Sequence, residues 1–479
     1  MSLSGLTGHI VQVEVDISSN LPSFVLVGLP DASLNEASAR VRSAIKNTGL
    51  EMPARRITVN LSPAAVPKFG SGFDLAISAA VLAASQVLNG KSVSNWLHLG
   101  ELGLDGSVRP ITGILPAVLA AREAGFRRIV VPRANGAEAS LVSGVEFAPV
   151  TTLAEVAKLH GAVKIGEIRQ STTELPTANK SSETESPIRA SDLSDVVGQQ
   201  PAIRALAIAA AGGHHLLMVG SPGAGKTMLA ERLPTILPDL SEAAALETTA
   251  IHSIAGMALT QSSENFSLCT RPPFQAPHHS ASVSAILGGG LSRPRPGAVS
   301  IAHHGVLFLD EAPEFQKPVL EALRQPLESG VVSIHRSGGW ANFPARFQLV
   351  LAANPCPCGK ALSSATACRC PAASRVRYAA RLSGPLLDRV DIRLIIRQPT
   401  SAERAIAHQK QSEQQTSEMV RSMVENAQYS ARERLRAFGL SKNSEVTGAL
   451  LRSKFAPDTQ SLKKLNRALI TRLSTVKVP

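Results

Sequence analysis

The chain has 479 residues, a formal net charge of +12 and an apolar content of 44%. A chain of this length is too long to fold around a single hydrophobic core, so two or three domains are expected. The number of cysteines, five, is odd, which indicates a reducing compartment rather than a disulfide scaffold. No export signal is visible, because the N-terminal stretch lacks a basic and apolar leader. No membrane span is expected, because the longest apolar stretch, 74–88, is too short and alanine-rich. A cytoplasmic protein without a membrane partner is therefore predicted.

The positive charge is unevenly distributed along the chain. Residues 1–165 contain 14 basic and 12 acidic side chains, whereas residues 191–479 contain 32 and 21. Such an excess indicates a polyanionic partner, with nucleic acid first, because Lys and Arg neutralise phosphates. An ordinary basic surface of a soluble protein would give the same count and stays open here.

The composition and the hydrophobic pattern of the sequence divide the chain into four regions. The predicted fold class is α/β. Residues 1–165 alternate short β-branched runs with alanine-rich helical stretches, which is typical of an α/β domain. Residues 166–190 are polar and rich in Ser, Thr and Pro, which predicts a flexible linker. A second α/β region covers residues 191–400, and a charged helical tail follows in residues 401–479.

A glycine-rich loop between an apolar strand and a helix is the strongest signal in the chain. The strand, 216–219, runs into the pattern GxxxxGK[ST], whose glycines let backbone N–H groups turn toward the β-phosphate of ATP. Lys226 is expected to reach the β- and γ-phosphates, and Thr227 to ligate Mg²⁺. The predicted nucleotide-binding residues are Gly220, Ser221, Pro222, Gly223, Ala224, Gly225, Lys226 and Thr227.

Polar residues end the next two apolar strands. Asp310 and Glu311 follow the run 306–309, and we expect Asp310 to bind Mg²⁺ and Glu311 to deprotonate the attacking water. Asn354 follows the run 349–353, where an amide can hold that water and sense the γ-phosphate. A merely solvated strand end is the alternative for the two acids.

Four of the five cysteines lie in two CxC pairs directly after this asparagine: Cys356 and Cys358, then Cys368 and Cys370. In a reducing compartment such pairs can close a tetrahedral Zn²⁺ site and stiffen a loop that has little core of its own. CxC is a less common ligand spacing than CxxC, so free thiols and a redox pair stay open as alternatives.

Arg389 follows a helical turn in the stretch LSGPLLDRVDI. In a ring-shaped ATPase, an arginine at such a position usually points into the neighbouring subunit's nucleotide, where its guanidinium stabilises the transferred charge. The alternative is an intramolecular salt bridge with Asp388 or Asp391.

These motifs, in this order, resemble an AAA+ ATPase of the magnesium-chelatase/MCM branch, and more closely the ComM/YifB family. The resemblance implies a homo-hexameric motor that hydrolyses ATP with Mg²⁺ and acts on branched DNA in homologous recombination and natural transformation, with recombination proteins as further partners. The stretches that carry it are VGLPDASLNEASARVRSAIKN, FDLAISAAVLAAS, FQAPHHSASVSAILGGG, RPGAVSIAHHGVLFLDE, FPARFQLVLAANPCPCG and SGPLLDRVDI.

In such a ring, two inserts would project into the central pore. One surrounds residues 277–279, and the other is a hairpin that turns at 338–339. His335, Arg336 and Arg346 are predicted to meet backbone phosphates there, in contacts that are independent of sequence and sensitive to salt. The scarcity of aromatic residues argues against a platform for base stacking.

The N-terminal region resembles the proteolytic domain of Lon, a fold shared with domain 2 of ribosomal protein S5. Gly72 stands where Lon has its serine nucleophile, with Ser71 one place early, and Leu115 stands where Lon has its lysine. A nucleophile without a base in reach is inert, so a scaffold or docking domain is predicted.

Residues 401–479 are predicted to form a short helical lid that looks incomplete, because the chain stops at LITRLSTVKVP without the closing segment of the family. Arg467 and Arg472 do not stand in the context of a second sensor arginine, so none is assigned. Two other functions stay open: the ATPase subunit of a magnesium chelatase, against which residues 1–163 argue, and a nucleotide-binding scaffold with impaired turnover.

Overall fold

The computed structural model describes most of the chain. The predicted linker, 166–190, lies outside the described residues, as do 401–414 and 464–479 of the predicted lid, with Arg467 and Arg472. Within the described part, each helix is too short or too polar to span a bilayer. The described residues are 1–28, 36–162, 192–257, 266–290, 294–336, 339–361, 368–399, 415–456, 458–461 and 463.

The described part of residues 1–162 folds into small sheets covered by helices. Its strands are β1 Ser2–Ser4, β2 Thr7–His9, β3 Gln12–Ser18, β4 Ser23–Val27, β5 Arg56–Ser62, β6 Leu97–His98, β7 Glu101–Leu102, β8 Val108–Arg109, β9 Arg128–Pro132 and β10 Glu146–Val150. Its helices are α1 Ala37–Asn47, α2 Asp74–Ala84, α3 Gly90–Ser94, α4 Ile114–Glu123, α5 Gly136–Ser140 and α6 Leu153–Leu159.

Alternating burial explains the mixed sheet β3-β5-β4 of this part. In β5, Ile57, Val59 and Leu61 are buried while the residues between them face outward, as the two-residue period of a strand requires. β5 pairs antiparallel with β3 and parallel with β4. The fully buried carboxylate of Asp74 begins α2 and accepts a hydrogen bond of 2.6 Å from Nε of Arg40, which ties α1 to α2.

The positions that correspond to the Lon dyad have other roles in this fold. Gly72 lies in a single 3-10 turn, Ser71–Phe73, and the Ser71 hydroxyl donates to a carboxylate oxygen of Glu101. Leu115 is fully buried in the first turn of α4. An apolar side chain at this position cannot serve as a general base, in keeping with the prediction of a scaffold.

Two histidines form a buried pair in the same part of the chain. The Nε2 atoms of His98 and His160 lie 2.9 Å apart, and Nδ1 of His160 lies 2.9 Å from Oγ of Ser92. Burial lowers the pKa of His98 to about 3 and holds the pKa of His160 below its ordinary value. The folded pair therefore stays neutral at pH values where free histidine is protonated.

Acidification is expected to destabilise the protein through this pair. Below the ordinary histidine pKa of 6.5 these histidines bind protons in the unfolded chain, whereas the folded pair stays neutral. The free energy of unfolding is therefore highest above pH 6.5 and falls as the pH is lowered toward 3. His98 alone costs about 1.4 kcal/mol per pH unit in that window. Thermal unfolding of wild type and His98→Gln between about pH 7 and about pH 5 measures the difference. Equal pH dependences of the two proteins would contradict the prediction.

The second α/β part begins with a 3-10 turn, Leu193–Asp195. Its strands are β11 Leu216–Gly220, β12 Phe274–Gln275, β13 Gly288–Gly289, β14 Arg295–Pro296, β15 Val306–Leu309, β16 Val331–Arg336, β17 Gly339–Pro344, β18 Gln348–Ala353 and β19 Ile392–Ile396. Its helices are α7 Gln200–Gly212, α8 Lys226–Ile236, α9 Glu242–Ala255, α10 Val283–Leu287, α11 Ala298–Ile301, α12 Lys317–Ala322, α13 Arg324–Ser329, α14 Ala372–Ala379, α15 Gly384–Leu387, α16 Ser417–Leu435 and α17 Gly448–Ser453.

Five of these strands form a parallel sheet in the order β12-β15-β18-β11-β19. Every residue of β15 and β18 is buried, because helices cover both faces of a parallel sheet and its inner strands become continuous apolar runs. The order differs from the order along the chain, since β18 inserts between β15 and β11. This crossover brings distant strand ends together.

The two α/β parts are in direct contact. Leu246 and Ala250 of α9 join the apolar cluster that surrounds α4. Ser253 of α9 donates to the buried carboxylate of Glu138, and the Ser4 hydroxyl donates to the carbonyl of Trp340 in β17. The N-terminal part therefore touches both the helix behind the parallel sheet and the hairpin β16–β17.

Candidate nucleotide-binding site

Three strand ends with polar residues meet at one edge of the parallel sheet. Asp310 and Glu311 follow β15, Asn354 follows β18, and the loop 221–225 follows β11. Because β18 lies between β15 and β11, the asparagine stands between the two acids and the glycine-rich loop. The sequence placed each residue at a strand end, and the sheet order makes them neighbours.

The glycine-rich loop has the backbone that a phosphate-binding loop needs. Gly223 and Gly225 adopt φ angles of 74° and 88°, which non-glycine side chains rarely tolerate. A Cβ on Gly220, at the end of β11, would lie 2.7 Å from the carbonyl oxygen of Ile396 in the neighbouring strand. The glycines thus let the loop wrap closely while α8 begins immediately after it.

Lys226 is the first residue of α8, and its side chain turns back to the loop. Its ammonium donates to the carbonyl oxygens of Gly220 and Ser221 at 2.8 and 3.1 Å and to Oδ1 of Asn354 at 3.1 Å. Burial lowers the pKa of Lys226, and the carboxylates of Asp310 and Glu311 oppose that shift. A cation held by uncharged oxygens is suited to a phosphate, which is a stronger acceptor.

The side chains of Thr227 and Asp310 lie close enough together to bind one divalent cation. The Thr227 hydroxyl donates to Oδ2 of Asp310 at 2.7 Å, and Oδ1 of the same carboxylate accepts from the backbone N–H of Glu311 at 2.9 Å. Hydroxyl and carboxylate oxygens are the ligands that Mg²⁺ prefers. The two side chains fit a Mg²⁺ bound between them and the phosphates of a nucleotide.

The four cysteines of the loop after β18 converge on one point. The sulfur of Cys356 lies 3.3 Å from that of Cys358 and 3.6 Å from that of Cys368, and all four sulfurs lie within 4.8 Å of one another. Zn–S bonds of about 2.3 Å separate tetrahedral sulfurs by about 3.8 Å, so the donor set fits Zn²⁺. Within the cluster, the N–H of Lys360 lowers the pKa of the Cys358 thiol to about 6, whereas the contact with Cys358 raises the pKa of the Cys370 thiol to about 11.

The cysteine loop also touches the phosphate-binding loop. Gly359 has a φ of 75°, and a Cβ built on it would lie 2.4 Å from Cδ of Pro222. The turn CPCG therefore packs against the loop that follows β11. Sequence reasoning did not connect these segments, although a glycine next to a ligand pair marks a close approach of the backbone.

Arg389 pairs with Glu328, at the end of α13, rather than with its neighbours in sequence. The alternative considered from sequence was an intramolecular salt bridge with Asp388 or Asp391; Arg389 does form an intramolecular salt bridge, but with Glu328, and the Asp391 carboxylate lies 3.2 Å from Nδ1 of His214. Arg389 is one-third exposed, so its guanidinium borders solvent at the surface of the subunit.

The hairpin β16–β17 has one apolar and one exposed face. Ile334 and Ala341 are buried partners in its register, whereas His335 and Trp340 form an exposed pair, and Trp340 is 60% exposed. Arg346 is exposed just beyond the hairpin, and the side chain of Arg336 lies outside the described residues. The sequence analysis did not identify Trp340 as a candidate DNA-binding residue, because it considered the low aromatic content of the whole chain. The position of Trp340 on the outward face of a predicted hairpin strand would have indicated it.

A cleft of about 480 Å³ lies between this hairpin and the segment that follows the predicted pore residues 277–279. One wall is α10, which follows residues 277–279, and the other wall is β16. The cleft combines hydroxyl groups with apolar side chains. It is lined by Ser282, Val283, Ser284, Leu287, Gly288, Val332, Ser333, Ile334 and His335.

Glu247, His303 and His304 form a second cluster with metal-ligand chemistry. Nε2 of the two histidines lies 3.0 and 3.2 Å from Oε2 of Glu247. Nδ1 of His303 accepts from the backbone N–H of Arg346 at 2.9 Å, so Nε2 carries the proton and donates to the carboxylate. This arrangement is a hydrogen-bonded link between α9 and the segment that joins the hairpin to β18.

Two family models match this chain. Residues 192–404 match the family described as magnesium chelatase, subunit ChlI, and residues 13–135 match the family described as subunit ChlI of Mg-chelatase. An uncharacterized protein of Mycobacterium tuberculosis is 49% identical over 478 residues, which cover 100% of this chain and 91% of that protein.

Named relatives are found among bacterial proteins. Competence protein ComM of Haemophilus influenzae is 45% identical over 389 residues, which cover 81% of this chain and 74% of ComM. YifB of Escherichia coli is 43% identical over 396 residues, which cover 82% of this chain and 74% of YifB. A more distant similarity, 26% over 168 residues, is to Lon protease of Mycolicibacterium smegmatis.

Proposed function

Because the chain belongs to the ComM/YifB family of magnesium chelatase-like AAA+ ATPases, we propose that it hydrolyses Mg-ATP to drive movement on DNA, as a homo-hexameric ring. The observation that carries the proposal is the meeting of Lys226, Asp310, Glu311 and Asn354 at one sheet edge. The hairpin β16–β17, a candidate DNA-binding surface, leads into the opposite end of β18, the strand that Asn354 follows.

Each residue of the site has one task in this reaction. Lys226 holds the β- and γ-phosphates, and Asn354, already bonded to Lys226, orients the attacking water and reports the γ-phosphate. Glu311 takes the proton of that water. Mg²⁺ bound by Thr227 and Asp310 neutralises charge on the phosphates. Arg389 of a neighbouring subunit completes the stabilisation of the transferred group.

The DNA-binding part of the proposal is supported by charge and by the hairpin. Residues 191–479 hold 32 basic and 21 acidic side chains, an excess suited to phosphates. On the hairpin, Trp340 adds an exposed ring beside His335, which suits stacking on an unpaired base at a branch point. We therefore place branched DNA first among the substrates, and branch migration in recombination and natural transformation as the process.

Trp340→Ala is expected to lower the DNA-stimulated rate of ATP hydrolysis about tenfold, because loss of one stacking contact costs about 1–3 kcal/mol of DNA binding. The basal rate is expected to stay unchanged, and Trp340→Phe to keep most of the stimulation. Steady-state phosphate release with and without forked DNA measures both rates. Tyr429→Ala, at a residue that is 67% exposed on α16, is the matched control. Hydrolysis that DNA does not stimulate in wild type would contradict the proposed function.

The ATPase subunit of a magnesium chelatase is the second candidate function. The descriptions of both matching family models favour it, and the match of residues 13–135 means that the N-terminal region does not separate the two functions. Stimulation of hydrolysis by DNA supports the motor, whereas stimulation by a porphyrin supports the chelatase. Tight ATP binding without turnover would favour a scaffold.

The proposal includes a structural Zn²⁺ held by Cys356, Cys358, Cys368 and Cys370. When bound, the ion supplies no reaction step, because four thiolates fill its tetrahedral positions. Its effect is to fix the turn that ends at Gly359, which packs on Pro222. Metal analysis is expected to find one zinc ion per chain.

Gly359→Ala is expected to weaken ATP binding about tenfold while the zinc content stays the same. The added Cβ meets the ring of Pro222 at 2.4 Å, so the phosphate-binding loop must shift. Gly439→Ala is the matched control, because Gly439 has a similar φ of 69° but open space around its Cβ position. Titration with a fluorescent ATP analogue measures the dissociation constants. Equal affinities of the two variants would contradict the prediction.

A further inference from the structure

A second cleft, which we name the basic cleft, lies in the N-terminal part, outside the candidate nucleotide-binding site. It has a volume of about 500 Å³, and its walls come mainly from the last turns of α1 and from the connection between α1 and β5. Leu50 and Ile57 are almost fully buried and form its apolar floor together with the half-buried Met52. The basic cleft is lined by Pro22, Arg42, Lys46, Gly49, Leu50, Glu51, Met52, Pro53, Arg55 and Ile57.

The rim of the basic cleft is positively charged. Arg42, Lys46 and Arg55 are exposed along it, and the lining contains one acidic residue, Glu51. Among the residues that the structure describes, none of the three cations forms an ion pair. The guanidinium of Arg42 lies 5.5 Å from the ring centroid of Phe24, which holds its charge at the rim. The rim therefore offers positive charge that no described carboxylate neutralises.

An apolar side chain lies in solvent next to this rim. Leu21, one residue before Pro22, is 87% exposed, the highest value among the large apolar side chains of the described residues. Leu21 also lies just before β4, which forms one edge of the sheet β3-β5-β4. Exposed apolar surface beside charged residues is typical of a place where another molecule binds. A chain segment that enters the basic cleft can cover Leu21 as well.

We infer that the basic cleft binds a short acidic segment of a partner protein that also carries apolar side chains. Carboxylates of such a segment pair with Arg42, Lys46 and Arg55, and its apolar side chains fill the floor and cover Leu21. A nucleic acid fits less well, because the described lining has no aromatic ring on which a base could stack. Free phosphate would leave the apolar floor unfilled. Such binding is separate from the proposed ATPase activity and does not depend on it.

The test measures the binding of a fluorescein-labelled peptide, rich in Asp and containing Phe, to the full chain by fluorescence anisotropy. Arg42→Gln/Lys46→Gln is expected to weaken binding about fivefold to tenfold, the size expected for the loss of two exposed ion pairs. Leu21→Ser is expected to weaken it about threefold, and its fold is preserved because solvent surrounds this side chain. Peptides with Asn in place of Asp, or with Ser in place of Phe, are each expected to bind about tenfold more weakly.

Lys91→Gln/Lys158→Gln is the matched control, because it removes the same charge from two exposed lysines of the N-terminal part outside the basic cleft. Its affinity for the peptide is expected to equal that of wild type. Thermal unfolding is measured in parallel, and equal Tm values of the two double variants show that a difference in affinity does not arise from unfolding.

Equal affinities of wild type and Arg42→Gln/Lys46→Gln overturn the inference, as does the absence of peptide binding to wild type. Full binding of the peptide that has Ser in place of Phe also overturns it, because charge alone then explains the contact. A single-stranded oligothymidine that binds more tightly than the peptide, and that the same double variant releases, assigns the basic cleft to nucleic acid instead. Since ATP hydrolysis is not measured, each of these outcomes is independent of the proposed function.

Discussion

Glu311→Gln is expected to lower the kcat for ATP hydrolysis about 100-fold or more while ATP binding persists. The amide has nearly the shape of the carboxylate but cannot accept the proton of the attacking water, and a general base contributes about 10²- to 10⁴-fold. The groups proposed to hold the phosphates, Lys226 and the loop 221–225, form hydrogen bonds that do not involve this side chain. Phosphate release and binding of a fluorescent ATP analogue measure the two properties separately.

Glu314→Gln provides the control for this result. Glu314 is three residues further along the chain, and its carboxylate lies 2.7 Å from the guanidinium of Arg381, in a surface ion pair. Loss of such a pair costs at most about 1 kcal/mol of stability, so hydrolysis is expected to stay close to wild type. A Glu311→Gln protein that hydrolyses ATP within threefold of the wild-type rate would show that another group acts as the base.

Arg389→Ala is expected to lower kcat by about 100-fold or more, because an arginine that stabilises transferring phosphoryl charge is worth about 10³- to 10⁵-fold in related reactions. In the proposed ring, this arginine would serve the neighbour's site and not its own. A mixture of Arg389→Ala and Glu311→Gln is therefore expected to regain activity, since a Glu311→Gln subunit can supply its arginine to the intact site of an Arg389→Ala subunit. Phosphate release is measured at several mixing ratios.

Glu328→Gln tests the intramolecular alternative. Glu328 is the partner of Arg389 within the subunit, and the substitution removes the ion pair but keeps the arginine. Hydrolysis near the wild-type rate is expected, since the arginine stays free to reach a neighbour. A loss as large as that of Arg389→Ala, together with an inactive mixture, would assign the arginine to the internal ion pair.

The residues proposed to bind and hydrolyse ATP could be predicted from the sequence because each follows a recognisable apolar strand. A strand–loop–helix with GxxxxGKT predicts where Lys226 and Thr227 lie, and parallel strands carry their C-terminal ends to one edge. Asp310 and Asn354 could thus be assigned to the same edge before the order of the strands was known. The structure adds the contact of Lys226 with Asn354 and that of Thr227 with Asp310.

Contacts between segments that are distant in sequence could not be predicted in the same way. Arg389 and Glu328 are 61 positions apart, and nothing in their local sequence indicates the pair. The approach of Gly359 to Pro222 depends on the strand order, in which β18 lies next to β11. Local patterns define strand ends, but only the three-dimensional sheet defines which ends face each other.

The complete burial of β18 limits how the molecule can generate movement. This strand connects the hairpin to Asn354 over six residues, a distance of about 20 Å, and is bonded on both sides by β15 and β11. Sliding it along its axis would break two ladders at once, which favours a fixed distance between the hairpin and the nucleotide site. In the proposed ring, a hairpin held in this way would change its position mainly when its whole subunit rotates.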